Sequence, residues 1–168
     1  MTVSAKILVN VSATDSNALD LGTGTIPYIS NTTYTISDGT GANSAEAVFA
    51  DQRTLTTGGN EDLDLAGSLT DGYGNTITFT KIKGIFVKNS ANSGNAIEIG
   101  GATGNQFINW VGDGTDQVVV DEGGMFLLYS PIAAGYAVTA GTGDLLRITN
   151  TATSANATYD IILIGETS

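Results

Sequence analysis

The stretch from Thr76 to Asn89 organises the hydrophobic pattern of this chain. Ile77 and Phe79 occupy one phase of a two-residue alternation and Ile82 and Phe86 the other. One extra residue near Thr80 or Lys81, a β-bulge, would bring all four onto one face. Ile85, Phe86 and Val87 are then consecutive, so the pattern predicts a strand that runs from an exposed edge into an interior apolar on both sides. Upstream, Val3, Ala5, Ile7, Val9 and Val11 alternate with Thr2, Ser4, Lys6 and Asn10, which predicts a half-buried first strand. The segment 15–25 is polar and glycine-rich. Pro27 holds Ile26 in extended geometry, and the strand pattern resumes through Tyr28, Ile29, Tyr34 and Ile36.

Further strands are predicted over 45–56, 62–65, 95–99, 117–120, 125–129, 136–139, 145–149 and 159–165, with 107–111 as an additional apolar island. Turns are marked by Ser37–Gly39, Gly58-Gly59, Asp71–Asn75, Glu122–Gly124 and Pro131. Met125–Tyr129 and Ile161–Ile164 are continuous apolar runs, and both are expected to be buried on two faces. No segment holds a 3.6-residue period. About ten short strands at intervals of roughly 8–12 residues, with no fixed-length repeat, predict an all-β fold with almost no helix, a jelly-roll-like antiparallel sandwich of two sheets.

Composition narrows the picture. The 168 residues, 41% of them hydrophobic, suffice for a single domain over 1–168, with residues 1–50 either inside the same sandwich or forming an arm that contacts a neighbour. Only 14% of residues are charged, against roughly 25% in typical domains, so hydroxyls and amides carry the hydration. The net charge of −11 with six basic residues speaks against nucleic acid. Lys81 and Lys83 fall on one face at strand spacing, a pattern that protects an edge strand more often than it binds a ligand.

Cysteine and histidine are absent, which excludes disulfides, thiol chemistry, the usual zinc sites and imidazole acid–base catalysis. Neither a signal peptide nor an apolar membrane span is read from the sequence, so the expectation is a protein made in a host cytoplasm. Asp113–Asp116 and Glu61–Asp64 offer oxygen ligands without EF-hand spacing, and ordinary turns are the stronger reading. The glycines of 141–143 and 101–104 lack the helix and lysine of a phosphate loop. No SxxK accompanies the many serines, and acids spread through turns read as solvated surface. The sequons at Asn10, Asn31 and Asn156 carry no weight without secretion. Hence no catalytic, cofactor or metal residue is assigned, and the chain is not read as an enzyme. Phe107, Trp110, Tyr73 and Tyr136 are the aromatics that would serve a carbohydrate-binding module if exposed together.

Several segments resemble a known group. The run Asp51–Leu55, the stretch EDLDLAGSLTDGYGNTITFTKIKGIFVKN from Glu61, Val118–Val120 with Gly123-Gly124, GYAVTAGTGDLLRITN from Gly135 and TYDIILIGE from Thr158 are similar to small proteins encoded in tailed-phage and prophage genomes. The resemblance covers most of the chain from residue 51 onward. It implies a structural component of the bacteriophage virion, foremost a capsid decoration or cement subunit, with the major capsid protein or another virion protein as partner. A tail-fibre or carbohydrate- or receptor-binding module is the alternative. The two-sided apolar runs lead to the expectation of a homotrimer. The negative charge suits the outer surface of a head better than an interior packed with phosphate.

Overall fold

The computed structural model describes residues 2–91 and 94–168. Among them are fourteen strands and no helix: β1 (Ala5–Leu19), β2 (Gly22–Asp38), β3 (Ser44–Ala45), β4 (Ala47–Leu55), β5 (Asn60–Asp64), β6 (Leu69–Thr70), β7 (Thr76–Ile77), β8 (Lys81–Asn89), β9 (Ile97–Gly100), β10 (Gln117–Val120), β11 (Met125–Tyr129), β12 (Tyr136–Ala137), β13 (Leu145–Asn150) and β14 (Ala157–Glu166).

Nine of these strands form the sandwich. One sheet has the order β11-β8-β14-β4, with β12 continuing β11 along the flank of β8, and the facing sheet has the order β10-β9-β13-β5. All these pairings are antiparallel. The chain passes from β4 to β5, from β8 to β9, from β10 to β11 and from β13 to β14, each step crossing between sheets. This is the winding of a jelly roll, and the two-sheet antiparallel sandwich expected from the sequence is the architecture observed. Strand alternation supplies the core. Phe49, Ile85, Val87, Ile161 and Leu163 from one sheet meet Leu63, Ile97, Ile99, Leu146 and Ile148 from the other, all buried.

A polar clasp closes the edge where β4 lies over β5. The Tyr159 hydroxyl donates to Glu61 at 2.6 Å, and Arg53 pairs with the same carboxylate at 2.6 Å and with Asp51 at 3.1 Å. Burial, followed by the hydrogen bond to Glu61, pushes the Tyr159 hydroxyl pKa up. Arg147 holds Asp62 through two bonds of 2.7 Å on the opposite side of β5.

The central stretch departs from its expected form. Residues 76–89 are two elements, because β7 turns back to pair with β6 through the turn at Asp71–Asn75, while β8 joins the large sheet. A bulge is present, but it lies at Lys83: Ile164 pairs with Gly84 and Gly165 with Ile82. Ile77, Phe79 and Ile82 are buried, whereas Phe86 stands on the outer face, only partly buried, and Ile85 and Val87 fill the core in its place. Lys83 is no edge guard. β8 lies inside its sheet, and the Lys83 side chain is fully buried against Glu166. The double burial expected of Met125–Tyr129 is likewise corrected, since β11 is an edge strand whose Met125 is 70% exposed. Ile162 in β14 also shows its side chain to solvent on the outer face.

Candidate interaction surface

Residues 2–46, which precede β4, do not belong to the sandwich. β1 and β2 pair without interruption from Ala5 with Ile36 to Leu19 with Gly22, turning at Asp20-Leu21. At roughly 3.3 Å per residue, fifteen residues make a two-stranded ribbon about 50 Å long. The expected half-buried strand exists only at its base, and the segment read as a glycine-rich loop is the outer end of the hairpin. Pro27, which lacks an N–H, is tolerated because both strands of an isolated ribbon are edges.

The base of the ribbon is anchored. Val3, Ala5, Ile7 and Ile36 pack on Ile164, Val48 and Tyr129 of the large sheet's outer face. The rings of Tyr34 and Tyr129 stack tilted with centroids 4.8 Å apart. The Val3 amide donates to Asp38 at 2.8 Å, the Asn43 amide to the Pro131 carbonyl at 2.9 Å, and the Tyr129 hydroxyl to Asn43 at 3.1 Å. β3 runs parallel to the end of β2 and leads directly into β4. A buried charge cluster completes the anchor. Glu166 accepts from Lys81 at 2.7 Å and from the Gly41 amide at 3.0 Å, while Lys83 donates to the carbonyls of Gly41 and Ile132.

Beyond this anchor none of the described residues outside the ribbon covers it. From Asn10 to Thr33 every residue except Gly24 is exposed. The register places Val11, Ala13, Leu19, Ile26 and Tyr28 on the same face that Ala5, Ile7, Tyr34 and Ile36 bury at the base. Val11 is 58% and Tyr28 57% exposed. The opposite face carries Ser12, Thr14, Ser16, Thr25 and Asn31, with Leu8, Pro27 and Ile29 among them.

Beside the base lies an apolar groove of about 300 Å³, bounded by Ile7 and Leu8 of the ribbon and floored by Phe86, Leu127, Ile162 and Ile164. Its floor is a cross-strand row: Leu127 pairs with Phe86, Phe86 with Ile162, and Ile162 with Ala50. Leu127 and Ile162 are 39% and 37% exposed. Lys6 stands at the groove, and Lys88 follows Phe86 on the same face of β8.

The other sequence candidates are occupied differently. Phe107 is buried in the core, and Trp110 packs on Phe126 at a centroid distance of 5.6 Å while its ring N–H donates to the Phe107 carbonyl. Tyr136 packs against the core and Tyr73 stands alone on the Asp71 turn, so the four aromatics build no common platform. Asp113 accepts from Thr115 and Asp116 from the amides of Gly112 and Asp113, which makes that loop a turn closed by its own carboxylates. Glu61, Asp62 and Asp64 are engaged by Arg53 and Tyr159, by Arg147 and by the Ala66 amide. Among the described residues no group of three or more acidic side chains is placed to hold a metal ion.

Compared with protein-family models, curated proteins and solved structures, the chain matches none of them. The arm and the groove at its base are therefore the features from which a function must be argued. The exposed half of the arm was missed because its residues are mainly Ser, Thr, Asn and Gly, which read as loop. The signal that could have found it is the shared phase of Val11 with Ala13 and of Ile26 with Tyr28, on either side of Asp20–Gly22.

Proposed function

We propose that this chain is a structural subunit of a virion, a capsid decoration or cement protein on the outer surface of a tailed-phage head, and that its N-terminal arm is the element that joins it to the assembly. The observation carrying this reading is the arm itself. A two-stranded ribbon alone in water is marginally stable at best, yet here it extends for some ten residue pairs beyond its anchor with apolar side chains uncovered. Such a ribbon is held in one shape by what it docks on. The Glu166, Lys81 and Lys83 cluster fixes its exit from the sandwich and so gives it a defined direction.

The remaining features are consistent with this role. Jelly rolls build viral structural proteins as well as lectins and cupins, so the fold alone does not decide between them. The aromatic side chains that a carbohydrate module would need are dispersed, and those of Phe107 and Trp110 serve the core. A net charge of −11 is repelled by packaged nucleic acid and is harmless on an outer surface, where it resists clumping of particles.

The test is to mix the purified protein with particles that lack it and to measure occupancy by cryo-electron microscopy. Density on the outer wall of the head, with the arm reaching a neighbouring subunit, is the expected result. Density only on the inner wall, or only at the tail tip, overturns the proposal.

A further inference from the structure

We infer that the distal half of the arm docks on a second copy of this chain, lying across the outer face of that copy's large sheet in the groove floored by Phe86, Leu127 and Ile162. The inference rests on the reading of the arm as an assembly element and names what it engages.

Continuity is the first argument. The ribbon face that bears Val11, Ile26 and Tyr28 is the face that, nearer the base, already seats Ile7, Tyr34 and Ile36 on this same sheet. At the base the ribbon places aliphatic side chains and a tyrosine against Ile164, Val48 and Tyr129. The next row of that sheet, Leu127, Phe86 and Ile162, offers an equivalent apolar floor, uncovered, to an equivalent ribbon face. The arm cannot supply this cover to its own sandwich. Its pairing is unbroken to Leu19 with Gly22, and no distal residue is buried. The occupant must come from elsewhere, and a second copy brings a matching surface with it.

Charge favours the same docking. Only six basic residues exist in the chain; one of them, Lys6, lines the groove, and a second, Lys88, lies two residues beyond Phe86 on the same face of β8, although Asp160 lies across from it on the neighbouring strand. Between Asn10 and Thr33 the arm carries two charges, the carboxylates of Asp15 and Asp20. Two molecules at −11 repel each other, but this segment brings little of that charge to the contact.

Area decides the form of the assembly. A docked face roughly 30 Å long and 10 Å wide buries about 600 Å² counting both partners, below the 1,200–2,000 Å² of stable interfaces. A subunit that both gives and receives an arm doubles this to about 1,200 Å², so the exchange closes on itself, as a reciprocal pair or as a ring of three.

The absence of cysteine permits a direct experiment. Two variants, Val11→Cys and Leu127→Cys, are purified separately, mixed and oxidised. A disulfide joining one chain of each kind can arise only between copies, and it is the expected product, with Thr151→Cys in place of Leu127→Cys as a control that does not bridge. Light scattering on the cysteine-free protein should give an oligomer. It should give a monomer when residues 10–31 are replaced by a two-residue Asn-Gly turn that leaves the base intact. A monomer at micromolar concentration from low to moderate salt, an oligomer that survives the trimming, or bridging to Thr151→Cys as efficient as to Leu127→Cys each overturns the inference. None of these results touches the particle reading, which stands or falls on outer-wall occupancy. An arm seen ordered only on the shell, with no contact to another copy, keeps that reading and overturns this one.

Discussion

Lys83 and Glu166 face each other at 3.4 Å with neither side chain exposed to solvent, although they lie far apart in the sequence, on β8 and at the end of β14. The loop at the base of the arm is tied to both, since Gly41 gives its amide to Glu166 and its carbonyl to Lys83. Burial opposes ionisation of Glu166, but the hydrogen bonds from Lys81, the Gly41 amide and Lys83 outweigh it and hold the carboxyl below its ordinary range. A carboxyl with a folded pKa below the unfolded value contributes stability that is fully present above about pH 4.5 and lost as pH falls through the folded value.

Glu166→Gln should therefore destabilise the protein at pH 7 by roughly 3–5 kcal/mol, because it leaves the Lys83 ammonium buried without a counter-charge. It should also remove part of the loss of stability seen on acidification below pH 4.5. Thermal unfolding followed by circular dichroism across pH 3–7 checks both. Parallel pH profiles for the two proteins would show that Glu166 is not the linked group.

The outer and inner faces of β8 make separate demands. Ile85 is fully buried, so Ile85→Ala should cost about 2–5 kcal/mol through lost transfer free energy and the cavity left behind. Phe86 is only partly buried on the groove floor, and Phe86→Ala should cost less in the isolated subunit. Lys88→Ala should fall within roughly 0.5 kcal/mol of the parent. Urea midpoints provide the ranking, and a Phe86→Ala loss equal to that of Ile85→Ala would reverse the assignment of faces.

How much of this was legible in the sequence depends on where each residue's partner lies. The turn at Asp71–Asn75 announces itself because Asp71 accepts the amides of Tyr73 and Asn75, four residues away at most. Most strand positions from β4 to β14 were readable from alternation and glycine breaks, and the sandwich followed, but β6 was not, nor was the division of 76–89 into β7 and β8. Lys83 was not readable, since an isolated lysine in a strand implies solvent until Glu166, far along the chain, is placed beside it. Met125, Leu127 and Ile162 misled for a different reason. Apolar residues on both phases of a strand imply two covered faces, and in one subunit only the inner face is covered. The groove was invisible because its floor draws on β11, β8 and β14, whose order in the sheet no local pattern reveals.

Gly165 shows how closely β14 passes its neighbours. A Cβ at this position would lie 2.7 Å from the Phe79 ring and would also meet the Lys81 carbonyl, part of the backbone opposite the bulge. Gly165→Ala should accordingly cost about 1–3 kcal/mol by forcing apart two packed strands. Gly72, whose Cβ would meet nothing within 4 Å, should accept alanine with little change. Differential scanning calorimetry on the pair decides the point, and a neutral Gly165→Ala would mean that β14 and β8 are farther apart than described.

The last prediction separates the arm from the body energetically. No residue between Asn10 and Thr33 is buried in the chain's own fold, so replacing 10–31 by an Asn-Gly turn removes no core contact and leaves Val9 and Thr32 joined by a favourable hairpin connection. The trimmed protein, diluted until the parent is also monomeric, should unfold within about 1 kcal/mol of it. Brief chymotrypsin treatment of the dilute parent should cut first near Leu19, Leu21 and Tyr28, at sites exposed on an unsupported ribbon, and leave the sandwich whole. Raising the concentration should slow these cuts if neighbours cover the arm. Mass spectrometry of the early fragments reads the outcome. First cleavage within the sandwich would show that the ribbon is held more firmly than its exposure implies. A trimmed protein that fails to fold would show that the distal arm supports the body, and the separation argued from burial would fall.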